Sequence, residues 1–218
     1  MGTPLQKEDD GRPSTDENMG RGFQGVIEWK VVTPKGAPRG LRYLARGNDA
    51  RLQIDGQNGH GAFDALIWGE NMSVIDNEQH TFRTVPLDQV PVSGKDDDVR
   101  VMKTGERRML QGVLVERYEI DDEPLHVSAW VTGLPGTFST EKFEQVSGHD
   151  VPAWAQHLLD EEMLPLEASA RDASAREVYR VELLRYAGGP VDESSLALPE
   201  NYTPTDDSTG AKPPSSTR

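Results

Sequence analysis

Alternation of apolar and polar residues at a spacing of two is the feature that most limits what this chain can fold into. In Phe23-Gln24-Gly25-Val26-Ile27-Glu28-Trp29-Lys30-Val31 the odd positions carry Phe, Gly, Ile, Trp and Val, with Gln24, Glu28 and Lys30 between them. Successive side chains of a strand point to opposite faces, so this segment reads as a strand with one face buried. Leu41–Arg46 and Ala50–Asp55 read the same way, followed by Ala62–Trp68, Met72–Ile75 and His80–Val85. Turn chemistry separates them: Thr33–Pro38, Gly47-Asn48-Asp49, Gly69-Glu70-Asn71 and Asp76–Gln79. The stretch Pro86–Asp98 reads as a loop between halves. Strands resume at Arg100–Lys103, Met109–Ile120 and Leu125–Val131, and Leu166–Ala170 and Glu177–Tyr186 close the series.

One segment departs from that rhythm. Val151, Trp154, Ala155, Leu158 and Leu159 recur at helical spacing, which predicts a helix over 151–163 with Asp150 as cap, Pro152 in the first turn and Pro165 marking its end. A shorter helical turn is expected over Ser139–Val146. The balance is about ten strands against one or two short helices, which predicts a mainly β fold built on a curved antiparallel sheet. Each strand pair adds about 20–25° of twist, so a sheet this wide curls. A helix of three turns is too small to cover its concave face, and large side chains, another subunit or an apolar ligand must fill the rest.

Composition bounds the partners. Of 218 residues, 37 are Asp or Glu and 23 are Lys or Arg, a net charge of −14. Nucleic-acid backbones and anionic membrane surfaces reward Lys/Arg clusters, so neither is the expected partner. The chain has no cysteine, which removes disulfides, thiolate metal sites and a cysteine nucleophile. No apolar run approaches the ~20 residues of a transmembrane helix. Polar, Pro- and Gly-containing ends at 1–21 and 203–218 are expected to be disordered tails, leaving 22–202 as a single folded β domain.

Local motifs give little support to catalysis. The histidines at 60, 80, 126, 149 and 157 show no metal-binding spacing, and no metal or cofactor is expected. Gly56-Gln57-Asn58-Gly59-His60-Gly61 leads from one strand into another, whereas a phosphate-cradling loop opens a helix. Asp96-Asp97-Asp98 and Asp121-Asp122-Glu123 lack the alternate-position spacing of a calcium loop and read as solvated acidic turns. There is no Gly-x-Ser-x-Gly nucleophile elbow. Asn71-Met72-Ser73 and Asn201-Tyr202-Thr203 match glycosylation sequons, which matter only in a eukaryotic secretory pathway.

Several short stretches, in order, resemble the bacterial DUF4412 proteins. They are Phe23-Gln24-Gly25-Val26-Ile27, Tyr43–Leu52 with its Ala45-Arg46-Gly47-Asn48-Asp49 centre, Lys103–Gly112 leading to Glu116-Arg117-Tyr118, Ala129-Trp130-Val131, and Leu198–Tyr202. Within the third, Thr104-Gly105-Glu106 reads as a turn between strands, and Gly112 as a bulge or close approach. The resemblance implies a LolA/LppX-like open half-barrel closed by helices, the type that carries lipid or lipoprotein acyl chains. It implies a non-enzymatic protein of the bacterial cell envelope, periplasmic or outer-membrane-associated, whose leader is absent from this sequence; a cytoplasmic location is the alternative. The family has no agreed catalytic residues. On this reading Phe23, Ile27, Trp29, Phe63, Phe82 and Trp130 form the wall of a hydrophobic site, and Trp154, Leu158 and Leu159 its lid. The other reading is a structural or interaction module with a filled core and a protein partner.

Overall fold

The structure, a computed structural model, describes residues 23–33, 37–47, 49–56, 63–87, 99–133 and 152–205. In chain order they form β1 (Gly25–Val32), β2 (Arg39–Arg46), β3 (Asp49–Ile54), β4 (Phe63–Trp68), β5 (Asn71–Asp76), β6 (Thr81–Pro86), β7 (Arg100–Leu110), β8 (Val113–Asp122) and β9 (Leu125–Gly133). Helix α1 (Ala153–Asp160), β10 (Met163–Arg171), β11 (Glu177–Gly188), a short 3-10 turn (Glu193–Leu196) and β12 (Thr203–Pro204) follow. All strands join one open sheet in the order β12-β6-β5-β4-β3-β2-β1-β11-β10-β9-β8-β7. Every pairing is antiparallel except the two-residue contact of β12 with β6. The mainly β, antiparallel architecture expected from the alternation and the open half-barrel implied by the resemblance are the architecture observed, with a single described α-helix.

The register explains which residues are inside. Ile27, Tyr43, Leu52 and Ala65 are cross-strand partners in one row over β1–β4. Because the side-chain period is two, the neighbouring row of Val26, Leu44, Arg51, Leu66, Ser73 and Thr84 belongs to the opposite face. The first face continues through Val181, Ala168 and Val127 of the second half and carries the main core. The second face, over β2–β6, forms a separate cluster of Leu44, Leu66, Ile75 and Phe82. This outer cluster is sealed by the segment after β11, whose Val191, Leu196 and Leu198 pack onto it.

A polar clasp fixes that strap. Arg51 donates from Nε and Nη2 to the two carboxylate oxygens of Asp64 at 2.8 and 2.7 Å, a fork matched to a carboxylate. Its remaining Nη1 donates to the carbonyls of Ser195 and Ala197 at 3.2 and 3.4 Å. Asp64 is only 2% exposed and also accepts from Gln53 and Asn77. Tyr202 donates to Asn77 Oδ1 at 2.7 Å, and β12 then pairs with β6, so Thr203 and Pro204 are strand residues.

Three local expectations are corrected. The helix is shorter than 151–163: it spans Ala153–Asp160, Pro152 is its N-cap, and Pro165 lies inside β10. Proline is tolerated there because the β9–β10 register shifts between Pro165 and Glu167, a bulge where a ladder donor is dispensable. Thr104-Gly105-Glu106 is not a turn; it is an irregularity within β7, where the register shifts between Lys103 and Arg107. The reversal comes instead inside the segment read as one strand over Met109–Ile120. Gln111 (φ 48°) and Gly112 (φ 83°) form its two-residue loop, both in the left-handed region that hairpins of this length require. The helical turn expected at Ser139–Val146, the cap Asp150 and the Asp96-Asp97-Asp98 cluster lie outside the described residues.

Replacing Asp64 by alanine leaves the Arg51 guanidinium buried without its carboxylate. Asp64→Ala is expected to lower stability by about 3 kcal/mol in urea denaturation. It should also open the strap over residues 189–205 to limited proteolysis before the sheet itself is cut.

Candidate functional site in the sheet interior

The site is the first face of the sheet beneath α1. The backbone N–H of Trp154 donates to Asp122 Oδ2 at 3.2 Å, which ties the start of the helix to the β8–β9 hairpin. From there Trp154, Ala155 and Leu158 fall on one side of the helix and are buried in the interior cluster. The Trp154 indole meets the Tyr179 ring edge-on, with centroids 5.8 Å apart and planes at 78°.

The structure brings most of the expected site residues together. Phe23, Ile27, Trp29, Phe63, Trp154 and Leu158 are all members of the interior cluster, and Leu159 packs against it half-buried. Phe82 is placed elsewhere. It pairs with Ile75 on the opposite face and lies under the strap, because parity along β6 turns it away from the interior. Trp130 is at the margin: it alternates along β9 with the buried Val127, Ala129 and Val131, and its ring lies 4.1 Å from the Arg108 guanidinium. Arg108 is held there by an ion pair with Glu167. Tyr43 and Tyr179, which were not among the expected wall or lid residues, also face the interior. Their spacing of two from Leu41 and Ala45 on β2 and from Val181 on β11 is the signal that marks them.

Polar chemistry inside is sparse and of one kind. The buried polar side chains Asp64, Ser73 and Thr84 all belong to the outer face. The described members of the interior cluster are aliphatic and aromatic side chains. Its polar atoms are phenols and indoles. Burial pushes the Tyr43 and Tyr179 phenols up to about 12. Trp68, on the outer face, donates its indole N–H to Ser73 Oγ at 3.2 Å, and Ser73 in turn shares a hydrogen bond with Thr84 at 2.9 Å. The indole N–H groups of Trp29 and Trp154, 5% and 1% exposed as residues, find no acceptor among the described residues. Among the described residues no three His, Asp or Glu side chains are grouped to hold a metal ion.

One border of the interior is a seam. β10 and β11 pair only where Ala168–Arg171 faces Glu177–Val181. Farther along β11, the carboxamide of Gln111 at the β7–β8 tip substitutes for a neighbouring strand. Its Nε2 donates to the carbonyl of Leu184 at 3.2 Å, and its Oε1 accepts from the N–H of Tyr186 at 2.9 Å.

No family model and no curated protein matches the sequence, so the likeness to DUF4412 rests on its short motifs alone. Solved structures with a similar course of chain include an uncharacterized conserved protein from Thermus thermophilus, with 9% identity over 88% of this chain and 93% of that one, at a TM-score of 0.47. The Pseudomonas aeruginosa MucA/MucB complex is similar at 11% identity over 82% of this chain and 56% of that chain, with a TM-score of 0.42. A LolA superfamily protein from Nitrosomonas europaea is similar at 13% identity over 79% and 87%, with a TM-score of 0.28.

Two outcomes follow from this geometry. Burial favours the neutral phenols, so the folded protein holds those protons more tightly than the unfolded chain, whose tyrosines titrate near 10. Stability is therefore complete below pH 10 and declines as pH rises toward 12. The loss is about 2 kcal/mol per buried tyrosine at the upper end, and Tyr43→Phe or Tyr179→Phe should flatten the decline of the urea midpoint. At the seam, Gln111→Ala should accelerate hydrogen exchange of the Tyr186 amide by about fivefold, as expected for one lost hydrogen bond worth ~1 kcal/mol.

Proposed function

We propose that this chain is a non-enzymatic cell-envelope protein that binds a hydrophobic ligand, a lipid or an acyl chain, against the inner face of its half-barrel. The observation that carries the reading is the interior itself. It is an apolar cluster contributed by strands of both halves of the sheet, and its one described helical cover is eight residues long. Each methylene transferred from water to such a surface contributes ~0.8 kcal/mol, so part of one acyl chain gives useful affinity. The motifs shared with DUF4412, most of whose members are exported, support a periplasmic or outer-membrane-associated location.

A second reading is favoured by a different surface. Met102, Met109, Leu114 and Leu184 are each more than half exposed, and Met109 and Leu114 are cross-strand partners on the β7–β8 hairpin. A filled half-barrel that docks another envelope protein through this hairpin would use them.

Denaturing mass spectrometry of protein purified from a bacterial host should release a stoichiometric lipid. A fluorescent fatty-acid probe should bind the emptied protein at micromolar concentration and be displaced by lipid extract. Absence of both co-purified lipid and probe binding would remove the carrier reading. Loss of partner capture with Met109→Ser and Leu114→Ser, lipid binding being absent, would establish the second.

A further inference from the structure

Beyond the seam, the edge of β11 is bound as a strand would bind it by something that is not a strand. Past Val181, β11 pairs with β1 on one side and with no described strand on the other. The carbonyl of Leu184 and the N–H of Tyr186 are met there by the two ends of the Gln111 carboxamide. A carboxamide carries the donor and the acceptor of a peptide group, so the edge is occupied by a surrogate backbone. The residue that supplies it goes against local preference. Gln111 stands in the left-handed region at φ 48°, in a two-residue hairpin loop where Asn, Asp or Gly is the common choice. Only the longer glutamine offers the carboxamide that reaches β11.

The edge is open to solvent. Both Gln111 hydrogen bonds are exposed. Leu184, which the β1–β11 register skips between Leu183 and Arg185, is 56% exposed. Met109 and Leu114, cross-strand partners on either side of the Gln111-Gly112 loop, are 63% and 53% exposed. Three of the four exposed large hydrophobic residues among those described therefore belong to the two segments that Gln111 joins. A free strand edge flanked by apolar side chains is how an extended peptide joins a sheet: main-chain bonds give affinity and side-chain contacts choose the sequence.

We propose that the β11 edge at Leu184–Tyr186 accepts an extended, apolar polypeptide segment without acidic side chains, which displaces the Gln111 carboxamide and pairs with β11 as an added strand. This rests on the docking reading of the β7–β8 hairpin and narrows it to recognition of a partner's backbone. The occupant must donate to Leu184 and accept from Tyr186. A polypeptide does both, whereas a lipid ester has no N–H. A second copy of this chain is the poorer occupant, because each copy brings a net charge of −14. The same charge favours a neutral or cationic segment.

The test uses the full chain and a rhodamine-labelled heptapeptide of alternating valine and threonine with a lysine at each end. Fluorescence anisotropy should show binding to wild-type protein. Gln111→Ala removes the competing carboxamide and should tighten binding by about tenfold. Leu184→Ser, at an exposed side chain, should weaken it roughly tenfold. The same peptide N-methylated at its internal amides should not bind, and a version with glutamate in place of lysine should bind about fivefold more weakly at low salt. Equal binding of the glutamate version overturns the charge requirement.

Two further readouts locate the peptide. In Gln111→Ala, saturating peptide should slow hydrogen exchange of the Tyr186 amide by about fivefold, and the N-methylated peptide should not. In ¹⁵N-labelled wild-type protein, which removes any dependence on a variant's folding, the Gln111 side-chain NH₂ resonances should move toward those of a free carboxamide as peptide is added. Absence of binding to both proteins, unchanged Tyr186 exchange, or unmoved Gln111 resonances at saturation overturns the proposal. Tyr186 exchange that slows with protein concentration alone assigns the edge to a second copy and overturns it as well. If partner capture is nevertheless lost with Met109→Ser and Leu114→Ser, the docking reading stands without the added strand.

Discussion

A twelve-stranded open sheet has two faces and two edges to keep from water, and most of this structure is an answer to that constraint. The inner face is covered by curling the sheet and by α1. The outer face carries a buried apolar cluster over β2–β6, and there the strap after β11 covers it. The edges are handled differently. At one end β12 adds two residues, the second a proline that offers no ladder donor, which is too short to invite further pairing. At the other end β7 is long but charged, with Lys103 and Arg107 both paired to Glu116, which is thereby held below the usual carboxylate range. Charges along an exposed strand disfavour edge-to-edge association.

The same constraint separates the roles of polar residues. On the outer face they are fully engaged: Arg51 and Asp64 satisfy each other and the strap carbonyls, and Trp68, Ser73 and Thr84 form a chain of hydrogen bonds. A partly satisfied network there would be costlier than an apolar surface, so completeness is what makes the clasp stable. The interior is built on another principle. It is apolar with a few donors, and the indoles of Trp29 and Trp154, without an acceptor among the described residues, contrast with the paired indole of Trp68 outside.

Much of this was legible in the sequence, because a period of two is a direct statement about faces. The alternation through Phe23–Val31 marked Ile27 and Trp29 as inward residues, and the 154/158 spacing marked the covering side of the helix. What alternation does not reveal is which of two buried faces a residue serves. Phe82 looked like a wall residue, yet it serves the strap, because β2–β6 bury both sides and only long-range pairing tells them apart. The turn at Gln111-Gly112 was hidden by apolar residues on both flanks, Met109-Leu110 and Val113-Leu114-Val115, which read as one continuous run. The strap itself was invisible as structure. Its hold depends on Arg51 reaching carbonyls more than 140 positions away, a contact with no local signature.

That separation along the chain shapes how the protein must come into being. β1 finds its second neighbour only when β11 exists, and the outer surface of β2–β6 is sheltered only after Thr203 has been made. During synthesis the first half therefore waits, with a greasy exterior and an unfinished flank, for partners at the far end of the polypeptide. Non-local pairings of this kind fold slowly and leave aggregation-prone surfaces exposed in the meantime. The interval between making β1 and making its β11 partner is therefore the time in which the nascent sheet is most open to wrong pairing.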